Sequence, residues 1–279
     1  MSKHFGTPNE SETNSNLDIS KCVTSAPSPS GSAIDVFEVR QKDFVKRAAL
    51  TRDVPDPEQI RLLLLGLVSS CENYFRQLLT ELLSACPMCR ETCSQVTIKF
   101  ATATYFSGSN IAQALTDDSV FSSAENIVTE TRRLTGINAN DFGSVKGALA
   151  EFHKVCVIRH ATVHSLGDLG GKNAVDLKLS TTQRQMVVLN IDSFQEIADV
   201  CVNLVRAYNG NLWKAIVARL NHKEILKFDE TQGDEDLFKS IQKVLWNATL
   251  ISTGTNGDIL YKTLCAGKSA LGGEGAGAI

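Results

Sequence analysis

Three of the five histidines in this 279-residue chain, His153, His160 and His164, fall within twelve residues of one another, beside Arg159. Arg159 follows Val155 and Cys156 by four and three positions, so the apolar stripe of a helix would point its guanidinium inward or into an interface. A buried arginine is costly without an anion to face it. Arginine and histidine together suit phosphodiester cleavage. Arginine offers a planar fork to non-bridging phosphate oxygens, and histidine moves protons near neutral pH. The nucleophile would be the substrate's own 2′-hydroxyl, so neither a metal nor an enzyme nucleophile is required. Five positions of ideal helix turn Arg159 and His164 apart by about 140°. The helix is therefore expected to end or distort between them, with Gly167 completing the ending.

A second cluster, Cys86-Pro87-Met88-Cys89 with Cys93, has the form of a redox pair or half a zinc site. No second Cys or His pair at ligand spacing accompanies it, so it reads as a loop with incidental thiols. Arg132, Arg133, Lys146, His153 and Lys154 could form a local basic rim, although such charges are usually a solvated helix face.

The elements that must position these residues are mainly helical. Asp56-Pro57 opens a long helix with an N-cap and a proline at the first position. Its stripe of Ile60, Leu63, Leu64, Leu67, Cys71, Tyr74, Phe75, Leu78, Leu79 and Leu82 runs until Pro87. Cys89 to Phe106 leans helical. Ser119 to Leu134 has helical spacing, with Gly136 as its stop. Asp141 can cap the helix of Phe142, Val145, Leu149, Phe152, Val155 and Cys156. Ala174 to Ile191 alternates around Ser180 to Arg184, which suits a small inserted hairpin. Asp192 with Gln195 forms a capping box before a long helix to Leu220, and Leu237 to Trp246 is a further amphipathic stretch packing outside. The expected fold is all-α, an antiparallel four-helix bundle with a small β-hairpin insertion and an extra C-terminal helix. By composition, residues 1–32 form a disordered Ser-rich arm, 57–221 the bundle, 222–264 a helical extension and 265–279 a flexible Gly/Ala tail.

Composition narrows the classes further. Hydrophobic residues at 43%, charged residues at 21% and a net charge of −3 are ordinary globular values. No apolar run approaches the roughly 18 residues of a membrane span. A slightly acidic chain cannot bind a nucleic-acid backbone by bulk charge, so any polyanion site must be local. The opening Met1-Ser2-Lys3-His4 lacks an apolar secretory segment, and the expected compartment is the cytoplasm. Eight cysteines, most inside apolar helical stretches, fit buried reduced thiols better than a disulfide framework.

Arg159-His160-Ala161-Thr162-Val163-His164 resembles the R-x4-6-H motif of HEPN domains, whose first intervening residue is usually polar, as His160 is. Its placement late in an amphipathic helix, before Ser165-Leu166-Gly167, matches too. The stretch Ser69-Ser70-Cys71-Glu72-Asn73-Tyr74-Phe75-Arg76 is similar to the acidic-aromatic segment on the first bundle helix of many HEPN proteins. The resemblance covers roughly Pro57 to Leu220. It implies a HEPN-type helical bundle that homodimerises and joins two motifs in one cleft. It also implies a metal-independent endoribonuclease that leaves 2′,3′-cyclic phosphate, with RNA as substrate and no cofactor. Such enzymes commonly serve as toxins or phage-defence effectors and pair with an antitoxin or defence-system partner. Carried onto this chain, His164 transfers protons and Arg159 holds the scissile phosphate. His160 orients the motif or contacts RNA, and Glu72 pairs with Arg159 across the bundle. The alternative within the resemblance is a non-catalytic module that binds a protein or nucleotide.

Overall fold

A computed structural model describes residues 15–25, 31–50, 56–108, 111–139, 143–180, 182–248 and 257–273. Two units divide the chain at Ser30 and Gly31. In the first, the described residues hold one 3-10 turn, Ile19–Lys21, capped by Asp18, whose Oδ1 accepts from Ser20 N and Oγ. The rest of the Ser-rich arm, residues 1–14 and 26–30, lies outside the described residues.

The second unit is mostly helical. It opens with a helix that the apolar pattern does not announce, α1 (Ala33–Ala49), fixed by a capping box in which Ser32 and Asp35 exchange bonds. Next comes α2 (Pro57–Ala85), started by Asp56, which accepts from the backbone N–H of Glu58 and Gln59. Pro87 does stop α2, and it also starts α3 (Pro87–Thr92), because a proline at the first position costs no hydrogen bond. The Cys89 to Phe106 stretch is thus divided between α3, an irregular segment and α4 (Phe100–Tyr105), with α5 (Ile111–Ala114) after it. The helix expected from Ser119 begins later, as α6 (Ala124–Thr135). Ser119 is engaged elsewhere, its Oγ donating to Glu130 and its carbonyl accepting from Arg76, and Ser123 supplies the cap. Gly136 ends α6 at φ +68.

The helix α7 (Gly143–His164) carries the candidate motif, while Asp141 and Phe142, its expected cap and first stripe residue, lie outside the described residues. The hairpin exists but starts earlier than expected. Strand β1 (Asp168–Leu169) pairs antiparallel with β2 (Gln185–Met186), and the first half of the first alternating run, Ala174 to Asp176, falls in α8 (Gly171–Asp176) between them. The long helix α9 (Ile191–His222) is capped by Asn190 with Ser193, two residues ahead of the expected Asp192 and Gln195. The amphipathic stretch α10 (Gln232–Leu245) does not sit outside. It buries Phe238, Ile241 and Leu245 completely. The last helix, α11 (Gly257–Gly273), takes in nine residues of the expected tail, 265–273, and Tyr261 and Cys265 on it are buried. Residues 274–279 lie outside the described ones.

Packing directions follow from paired residues. Against α2, α1 runs antiparallel: Gln77 donates to Gly31 O, Phe37 meets Tyr74, and the Phe44 ring lies over Gly66. Against α9, α7 is antiparallel, with Ser144 bonded to Asn211 and Cys156 near Cys201. Against each other, α2 and α9 run parallel, with Cys71 beside Cys201 and the Tyr74 hydroxyl donating to Asn209 Oδ1 at 3.0 Å. Contacts α1 to α2, α2 to α7, α7 to α9 and α9 to α1 close a cycle of four helices alternating in direction. The helix α6 is therefore an addition beside α2 and α3, and α1 takes the place the sequence reading gave it. At the centre Tyr74, Phe75, Tyr208 and Phe121 meet edge-on or stacked, and Tyr208 shares a 2.6 Å hydrogen bond with Thr131. These tyrosine hydroxyls are paired, as burial requires. No helix among the described residues is long and apolar enough to cross a membrane.

Candidate functional site

The site stands at the C-terminal end of α7. Val145, Leu149, Phe152, Val155, Cys156 and Ala161 bury one face of that helix, and Arg159 falls on the edge of the face, half-buried. Its guanidinium makes no hydrogen bond or ion pair with another described residue. Its charge is felt across the interface by Glu72 on α2, whose carboxyl is half-buried and whose Oε1 is buried without a hydrogen-bond partner among the described residues. Burial raises the Glu72 carboxyl above the ordinary glutamate range, and Arg159 and then Arg76 oppose that rise. The sequence pairing of Glu72 with Arg159 is thus a facing of charges across the bundle without direct contact.

The expected break between Arg159 and His164 is absent, since α7 stays α-helical through His164. Regular winding then sends Arg159 and His164 about 140° apart, so one chain does not aim both at a common point. The ending comes immediately afterwards. Leu166 takes φ +51 and Gly167 φ +93, and the Gly167 N–H returns to Ala161 O at 2.9 Å. Leucine in the left-handed region costs roughly 1–2 kcal/mol. That strain sits one residue beyond the exposed His164 and Ser165.

His160 and His164 are both exposed, with ring centroids 4.5 Å apart and planes tilted by 44°. His153 is exposed too, a further two turns back. The basic rim is partly neutralised. Arg133 pairs with Glu130 and donates to Leu115 O and Ser119 Oγ, and Lys154 pairs with Glu151. Arg132 and Lys146 remain exposed.

Two features escaped the sequence reading. Arg61, in the first turns of α2, reaches over Gly167 to Val187 O and pairs with Glu58, so it props the turn after α7 and the residue that follows β2. Its spacing eleven residues ahead of Glu72 gives only the shared helix; the contact depends on the hairpin 126 residues away. Beneath Glu72 and Arg159, Cys71, Cys156 and Cys201 come together from three helices. Burial pushes the Cys71 thiol well up and the Cys156 thiol up to about 12, which keeps both neutral. Helical stripe positions on three separate elements would have suggested that layer.

The Cys86, Cys89 and Cys93 cluster spans α3 from its N-cap, Cys86, to its C-cap, Cys93, not a loop, and all three thiols are buried. A hydrogen bond from Cys89 lowers Cys86 to about 7 and raises Cys89. Cys93 Sγ lies 3.4 Å from Leu134 O at the end of α6. Among the described residues no group of three or more His, Cys, Asp or Glu side chains is placed to hold a metal ion.

The chain matches no protein-family model, no curated protein and no solved structure.

Proposed function

We propose that this chain is a HEPN-type, metal-independent endoribonuclease acting as a homodimer, with the bundle as its scaffold. The observation that carries the reading is the end of α7. Among the described residues a half-buried guanidinium stands free of hydrogen bonds, and an exposed histidine pair follows it on the same helix. Arg159 holds non-bridging oxygens of the scissile phosphate, the bidentate task for which a guanidinium is shaped. His164 takes the proton of the 2′-hydroxyl as its oxygen bonds to phosphorus, and the P–O bond to the 5′-oxygen breaks, that oxygen picking up a proton from water. The products are a 2′,3′-cyclic phosphate and a 5′-hydroxyl end. His160 orients the motif or contacts RNA, and Glu72 limits the wandering of Arg159 by its charge.

A second copy answers the 140° divergence, because Arg159 of each chain can then work with a histidine from the other. Exposed apolar side chains beside the motif favour such a contact. Leu62, Val163, Leu166, Met186 and Val188 are all exposed, Leu166 by 81% and Val188 by 79%, and the bonds among Arg61, Gly167 and Val187 bring their segments together. The same face would also serve a non-catalytic module. A toxin or defence role, with an antitoxin or defence-system partner, rests on the motif's resemblance alone.

The test is a digest of labelled RNA by the purified chain in EDTA, with analysis of product ends and of mass by light scattering. Cleavage to cyclic phosphate is expected from a dimer, with Arg159→Ala and His164→Ala each slowing it by about 100-fold or more. Equal rates in wild type and both variants would leave the interaction module as the reading.

A further inference from the structure

We propose that His160 and His164 form a two-point clamp for one divalent late transition-metal ion, such as Zn2+, Ni2+ or Cu2+, and that its occupation blocks the site. Four positions along a helix place two side chains about 40° apart in direction and one turn apart in height, so both imidazoles lean over the same surface. Here both are exposed and their ring centroids are 4.5 Å apart. An imidazole nitrogen binds such ions at about 2.0–2.1 Å, which puts each ring centre roughly 3 Å from the metal; with an angle of about 90° between the two bonds at the metal, the ring centres are some 4.5 Å apart. Chelation needs no rearrangement of the helix.

The position favours a cation for a second reason. His164 is the last residue of the 22-residue α7, where the aligned peptide dipoles present their negative end. Imidazole nitrogens suit zinc, nickel and copper over magnesium or calcium, which prefer oxygen. Two protein ligands leave the remaining positions to water, which makes the ion exchangeable and distinguishes this site from a structural one of three or four side chains. His153 lies about 10 Å back along the helix from His160 and cannot join.

The consequence for the activity rests on the function proposed above. A metal on His164 occupies the nitrogen lone pair that would accept the 2′-hydroxyl proton. The enzyme that needs no metal is therefore inhibited by one, and a chelator restores it.

Equilibrium dialysis of Ni2+ against the full-length chain without an affinity tag tests the clamp independently of catalysis. One ion per chain is expected, and His160→Asn and His164→Asn should each weaken binding by about 100-fold, the loss of the second, tethered ligand. His153→Asn, and Cys22→Ser at the exposed thiol, should leave binding unchanged. Retention of wild-type affinity in His160→Asn, or loss of binding in Cys22→Ser, would overturn the proposal. The RNA digest is then repeated at saturating Ni2+ and after excess EDTA. A chain that binds Ni2+ but cuts no RNA in EDTA refutes the nuclease reading and keeps the clamp; one that cuts RNA equally with and without saturating Ni2+ refutes the inhibition.

Discussion

Glu72 is the residue at which stability and the candidate site meet. Its carboxyl is held above the ordinary range by burial, so the native state binds that proton more tightly than the unfolded chain does. For an acid shifted upward, the contribution to stability is fully present below the unfolded value and is lost as pH rises through the native one. The window opens near the ordinary glutamate pKa of about 4.3 and extends upward. Glu72→Gln removes the titration. Chemical denaturation at a series of pH values should show the variant gaining on wild type as pH rises through that window, and no gain below it. A constant difference across the series would place the cost of Glu72 in packing instead of charge. The resemblance singled out Glu72 from the text around it, but its orphaned Oε1 was invisible there. That atom's isolation depends on α7 crossing α2 without bringing Arg159 into contact.

Among the elements, the end of α7 is built from parts far apart in sequence. Gly167 at φ +93 turns the chain into β1, and the Val187 N–H returns to Gly167 O at 2.8 Å. A Cβ at Gly167 would stand 3.4 Å from both Val187 O and Arg61 Nη2, ordinary contact, so the backbone angle is the main cost of a side chain. Gly167→Ala should destabilise the fold by about 1–2 kcal/mol, measured by denaturant midpoint at unchanged slope. A neutral Gly167→Ala would mean that the turn after His164 relaxes freely. The glycine signal, the long stripes of α2 and α9 and the αL stop at Gly136 were legible because each is a local rule of spacing or capping. Other features were hidden where tertiary contacts overrode such rules. Ser119 left its helix to serve Glu130 and Arg76, and the run from Ala174 coiled into α8. The amphipathic face of α10 found the core because Asp234 anchors it, accepting from Phe228 N and Tyr261 Oη at 2.7 Å each.

Across the molecule, the closed cycle of α1, α2, α7 and α9 explains why the sequence reading found a four-helix arrangement with one member misplaced. The segment 33–49 has only Ala33, Ile34, Phe37 and Ala48 buried, too sparse a stripe to stand out, yet it covers both α2 and α9. Packing of the cycle and of the helices added around it turns seven of the eight cysteines, Cys71, Cys86, Cys89, Cys93, Cys156, Cys201 and Cys265, away from solvent and leaves Cys22 exposed. The thiols thereby become a built-in gauge of openness. A maleimide that reacts only with solvated sulfur should add one mass increment to the native chain and eight after denaturation, counted by intact mass spectrometry. Because the seven protected sulfurs are spread over α2, α3, α7, α9 and α11 and the junctions on either side of α3, the order in which they become labelled under mild denaturant would chart which helices part first.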